Sequence, residues 1–133
     1  MSTEIVARYI GDGRVELTHT PTGQKIVTDL PPDNGGKGRD FSPTDLLASS
    51  VASCILTIMS LIAERENINF ENAQIIIEKH MQQNPRKVAK LCGKIKLPEG
   101  INEIQKKKLL TAIQNCPVSR SLREDIIIDF EVH

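Results

Sequence analysis

Two cysteines stand in settings where a thiol can do chemistry. Cys54 lies inside an uncharged stretch that runs from Leu46 to Ala63, and Cys116 lies in the segment Asn115-Cys116-Pro117-Val118-Ser119. Proline suits the first position of a helix, where the N–H it lacks would have no intrahelical partner, so Pro117 places Cys116 at an N-cap. Free backbone N–H groups and the positive end of the helix dipole favour thiolate at that position. Cys54 meets the opposite pressure. An apolar helix disfavours the charged form and raises a thiol's pKa unless a cation reaches it, and Arg14, Lys37 and Arg39 are the candidates. Cys54 therefore reads either as an inert core residue or as a thiol activated from elsewhere in the chain.

The third cysteine, Cys92, sits in an alternating segment and reads as a small apolar residue packed in a sheet. Three cysteines without a Cys-x-x-Cys are too few for a disulfide scaffold and point to free thiols in a reducing compartment. His19, His80 and His133 are scattered, none at helical spacing from a cysteine, which argues against zinc; no metal and no cofactor is expected. The loop from Asn34 to Gly38 is rich in glycine but lacks the four-residue spacer of a P-loop, so it reads as a connector bordering a site.

The element that carries Cys54 has a defined start. Ser42 suits the N-cap, Pro43 the first helical position, and Asp45 the positive helix end. The helix is expected to run to about Arg65 or Glu66, before the stop signals Asn67 and Asn69. Its uncharged run reaches the lower limit for a bilayer span, but five Ser and Thr residues interrupt it and no aromatic belt flanks it, so a buried helix is expected and no membrane. Lys+Arg and Asp+Glu both number 17, which removes the global basic field that nucleic acid would attract. Charged residues near Met1 replace the apolar stretch of a signal peptide, and the expected compartment is the cytoplasm.

Around that helix, residues 5–9, 14–19 and 24–28 read as an N-terminal meander turning at Gly11-Asp12-Gly13 and Thr20-Pro21-Thr22-Gly23. Residues 73–80 and 88–97 read as a paired hairpin. Residues 102–114 read as an amphipathic helix with Ile104, Leu109, Leu110 and Ile113 inward and Lys106, Lys107 and Lys108 solvated. A short helix from Pro117 through Arg123 and a closing strand over 126–132 complete a single α+β domain spanning 1–133, with antiparallel strands in one layer and helices in the other. The apolar helix needs more cover than one such subunit supplies, which suggests a homodimer.

Read together, FSPTDLLASSVASC and the later NCPVSRSL resemble the OsmC/Ohr family of thiol-dependent hydroperoxide reductases. The resemblance spans nearly the whole chain, from the meander through the Gly-rich loop and the Ser-Pro-x-acid-Leu-Leu helix start to the Cys-Pro-Val-Ser helix. It implies an intertwined homodimer with antiparallel sheets packed on a long central helix. It also implies a two-cysteine cycle: Cys54 attacks an organic hydroperoxide and becomes a sulfenic acid, Cys116 condenses with it to a disulfide, and an external dithiol reduces that bond. The family's thiolate-stabilising arginine falls on Arg14, with Arg39 second. The glutamate that holds this arginine in some branches falls on Thr44, and the nearest carboxylate, Asp45, points about 100° away around the helix. That departure leaves a different reading open, a non-catalytic module of the same fold that binds an apolar small molecule or senses oxidation.

Overall fold

The computed structural model describes residues 1–133, which divide into two compact units, Met1–Leu46 and Leu47–His133. In the first, β1 (Ile5–Gly11), β2 (Arg14–His19) and β3 (Lys25–Asp29) form an antiparallel meander. The β1–β2 turn takes positive φ at Asp12 and Gly13, the conformation whose twist matches a two-residue hairpin. After β3 and a single 3-10 turn at Pro32–Asn34, the Gly-rich loop folds back on the strand end. A Cβ on Gly36 would lie 2.0 Å from the Leu30 carbonyl oxygen, so only glycine permits that approach. Arg39 then fastens the loop: its side chain donates twice to the buried Asp29 carboxylate, at 2.7 and 3.1 Å, and its backbone N–H donates at 2.8 Å.

Helix α1 (Pro43–Arg65) begins as its sequence implies. The Asp45 N–H donates to Ser42 Oγ at 3.1 Å, while the Ser42 N–H donates to the Asp45 carboxylate at 2.9 Å, a reciprocal capping box. Its buried residues Ala48, Val51, Ile55, Met59 and Ile62 recur every three or four positions and form one stripe.

In the second unit that stripe packs with Val88, Leu91 and Ile95 of the sheet and with Leu109 and Ala112 of the C-terminal helices. Each fully buried Leu or Ile there is worth about 1.5–3 kcal/mol relative to exposure. The sheet has order β4 (Gln74–Gln82), β5 (Lys87–Lys96), β6 (Ile127–Val132). Strands β4 and β5 are antiparallel, as the hairpin implies, but β6 runs parallel to β5, so this sheet is mixed. The helical segment between β5 and β6 explains the direction: a connection of that length is a crossover that returns the chain to the end where β5 began.

The helical segment also departs from expectation. It comprises α2 (Glu103–Leu110), α3 (Ala112–Asn115) and α4 (Pro117–Ser121) in place of one helix and a short successor. The break falls at Thr111, whose N–H and hydroxyl both donate to the Lys108 carbonyl, an i−3 pattern that interrupts the α ladder. Ile104, expected inward, is 70% exposed; Leu109 and Ala112 carry the buried face.

Candidate functional site

The structure brings the two conspicuous cysteines together. Cys54, half-buried, lies on α1 beside the buried stripe, and Cys116 is fully buried at the N-cap of α4, with the two sulfurs in hydrogen-bonding contact. Cys116 accepts from the Ser119 backbone N–H at 3.2 Å and lies 2.9 Å from the Ser119 hydroxyl. Its sulfur thus takes the place a serine or aspartate oxygen usually holds in a cap. Arg120, one residue on, donates to the Asn115 side chain at 2.9 Å and steadies the entry to α4.

The environment separates the two thiols. Burial pushes the Cys54 thiol above its ordinary value; the Val118 N–H pulls it back, and the neighbouring Cys116 sulfur adds to the rise. Burial also pushes at Cys116, but donation from the Ser119 hydroxyl, the Ser119 N–H, the Cys54 thiol and the Val118 N–H outweighs it, and Cys116 ends below its ordinary value. Of the two, Cys116 is thus the thiol that gives up its proton first, with the Cys54 S–H donating to its sulfur. Ser119 and Val118 were not among the residues singled out from sequence, although a residue three after a cysteine N-cap is where a capping donor must lie.

The remaining expected site residues stand in the first unit. Arg14 opens β2 and ion-pairs with Asp40, while its Nε is buried without an acceptor. Arg39 is engaged by Asp29 and Asp12, and Lys37 by Asp12 at 2.9 Å. Asp45 is a member of the helix capping box. An open apolar groove of about 520 Å³ begins one turn beyond Cys54, lined by Ile58, Leu61 and Ile62 of α1 and by Thr111 and Asn115 next to Cys116. Cys92, read from sequence as a packing residue, instead stands half-buried beside exposed His80, with Sγ 3.3 Å from Nε2.

Residues 36–131 match the OsmC-like protein family. The chain belongs to that family. No curated protein sequence matches it. Among solved structures, a Psychrobacter arcticus protein assigned to osmotic stress induction and detoxification response is 34% identical, with a TM-score of 0.92 and coverage of 100% of this chain and 96% of that one. The OsmC organic hydroperoxide resistance protein of Legionella pneumophila is 22% identical with a TM-score of 0.77, covering 99% and 96%. The organic hydroperoxide resistance protein OhrB of Bacillus subtilis is 17% identical with a TM-score of 0.70, covering 100% and 98%. The last two establish a common fold for this OsmC-like chain, with its α+β elements in the same arrangement.

Proposed function

We propose that this OsmC-like protein is a thiol peroxidase that reduces organic hydroperoxides through Cys54 and Cys116. The observation that carries the reading is the sulfur pair itself: a half-buried thiol in contact with a buried, acidified one. Family membership supports it, as do the two fold neighbours named for organic hydroperoxide resistance. The Cys116 thiolate takes the proton of Cys54, whose sulfur attacks the O–O bond. Sulfur loses two electrons, the bond breaks, and the leaving alkoxide takes the proton back from Cys116 to depart as alcohol. Cys116 then attacks the Cys54 sulfenic acid, forming the disulfide and releasing hydroxide, which solvent protonates to water. An external dithiol restores both thiols by exchange, and the acidic Cys116 is the better leaving group in that step.

The apolar groove beyond Cys54 favours an organic substituent on the peroxide over hydrogen peroxide. Arg14 is proposed for the activating role on the resemblance alone. The Psychrobacter arcticus structure matches over all of this chain, which supports one OsmC-like domain over 1–133, and free thiols suit the cytoplasm. A homodimer fits the exposed apolar residues of α1 and of β1.

The second reading, a non-catalytic module, is favoured by Asp45, whose carboxylate serves the helix cap. Stoichiometric cumene hydroperoxide separates the two. The reduced protein is expected to consume peroxide and to yield a Cys54–Cys116 disulfide by non-reducing peptide mass spectrometry. Cys116→Ser, which lacks the thiolate base as well as the resolving sulfur, should react more slowly and stop at a trappable sulfenic acid, and Cys54→Ser should remain reduced. A wild type that stays reduced with peroxide unconsumed rejects the enzyme and leaves the module.

A further inference from the structure

The outer face of the mixed sheet carries a second set of chemical groups, remote in role from the thiol pair. Glu78 and His80 are two residues apart on β4 and so point to the same face. Glu78 stands directly opposite Cys92 on β5, and His80 lies diagonally from it. A carboxylate oxygen, an imidazole nitrogen and a thiol sulfur thereby lie within 4.8 Å of one another. We propose that Glu78, His80 and Cys92 form a binding site for a zinc-class divalent ion.

The donor set selects the class. Calcium and magnesium take oxygen ligands, and iron–sulfur clusters need several thiolates, whereas one thiolate, one imidazole and one carboxylate suit zinc. Distances agree. Tetrahedral bonds of ordinary zinc length put sulfur and nitrogen ligands about 3.5 Å apart, and Cys92 Sγ lies 3.3 Å from His80 Nε2. The Glu78 side chain is exposed and has rotamers with which to close on the ion. A fourth position remains open on the solvent side. Asp129 lies in register with Cys92 on β6 and lines the same concavity as Glu78 and Cys92, about 410 Å³ in volume.

The surrounding charge also favours a cation. Glu78, Asp129 and Glu131 face the concavity against Lys90 and Lys94, an excess of one negative charge before Cys92 gives up its proton. Two backbone features hold the ligands in place. The β4–β5 register is irregular next to His80, and such bulges re-aim side chains. Gly93 lets the strands close up beside Cys92, since a Cβ there would lie 1.9 Å from the Ile76 carbonyl oxygen. Helical spacing was the wrong ruler for these ligands: the set follows the strand period and one cross-strand neighbour.

Cobalt(II) is the probe, added to reduced protein carrying Cys54→Ser and Cys116→Ser so that Cys92 is the sole thiol. The expected result is a 1:1 complex with a thiolate-to-cobalt charge-transfer band, visible bands of tetrahedral cobalt, displacement of both by zinc, and release of a proton on binding. Adding Cys92→Ser should abolish the charge-transfer band, and His80→Ala or Glu78→Gln should weaken binding at least about tenfold, with unchanged circular dichroism. Absence of a charge-transfer band in the protein that retains Cys92, or affinity unmoved by His80→Ala and Glu78→Gln together, overturns the site. None of these readouts depends on peroxide chemistry, so the site stands or falls apart from the peroxidase reading.

Discussion

Ser119 gives Cys116 two donors where an ordinary cap has one, its backbone N–H and its hydroxyl, and both stabilise sulfur as an anion. The thiol that the helix acidifies is thus the one the fold buries, while the thiol with solvent access, Cys54, is held protonated by burial. Acidity and access are divided between two residues, and the contact between their sulfurs is what lets one serve the other. Two consequences can be measured from thiolate absorbance against pH. In Cys54→Ser, Cys116 is expected to titrate below an ordinary cysteine, so that more of it is thiolate at neutral pH than of a free thiol. Ser119→Ala removes a donor to the anion and should move that midpoint up, with slower disulfide formation at neutral pH; a midpoint that falls or stays in place would contradict the capping account.

The start of α1 shows an element's own chemistry at work, and its contribution to stability can be separated from any contribution to reaction. Ser42→Ala removes the acceptor for the Asp45 N–H and should cost about 1 kcal/mol, read as a lower urea midpoint with unchanged slope. Asp45→Asn tests the alternative role: with Asp45 only a cap, stability falls by a fraction of that while the rate of peroxide-driven disulfide formation holds. The Gly-rich loop makes a pH prediction. Hydrogen bonds from the Arg39 side chain hold Asp29 well below the usual carboxylate range, against the opposing effect of burial. Below the ordinary carboxylate pKa the unfolded chain therefore binds a proton that the folded chain refuses, and stability drops as pH falls. Asp29→Asn should flatten that acid limb while lowering stability at neutral pH. Both helix starts were legible in sequence because Ser-Pro and Cys-Pro fix a cap locally, and the meander was legible from its glycine turns. The parallel β6, the break at Thr111 and the Cys92–His80 contact were not, since each depends on which strand or turn the chain meets later. Sequence likewise ranked Cys116 as the more acidic thiol, but nothing local placed Cys54 against it.

At the scale of the whole molecule the dominant feature is uncovered apolar surface, present in each of the two compact units. Ile5, Tyr9 and Ile10 of β1, Ile26 of β3 and Leu61 of α1 all have about half or more of their surface exposed, more large apolar surface than a solitary chain of balanced charge keeps in solution. Helix α1 is long and apolar enough to cross a bilayer by length and composition, and its Ser50, Thr57 and Ser60 hydroxyls, on the exposed side, donate to carbonyls of their own helix. Light scattering at micromolar concentration is therefore expected to return twice the chain mass, and the melting temperature should rise with protein concentration, as it does when association and folding are linked. Leu61→Lys puts a charge on the exposed row that continues from Cys54 through Ile58. It should lower the melting temperature more at low than at high protein concentration, a signature that a purely local packing defect does not give. A wild type that scatters as a stable monomer, with a melting temperature independent of concentration, would mean that this apolar surface has some occupant other than a second copy of the chain.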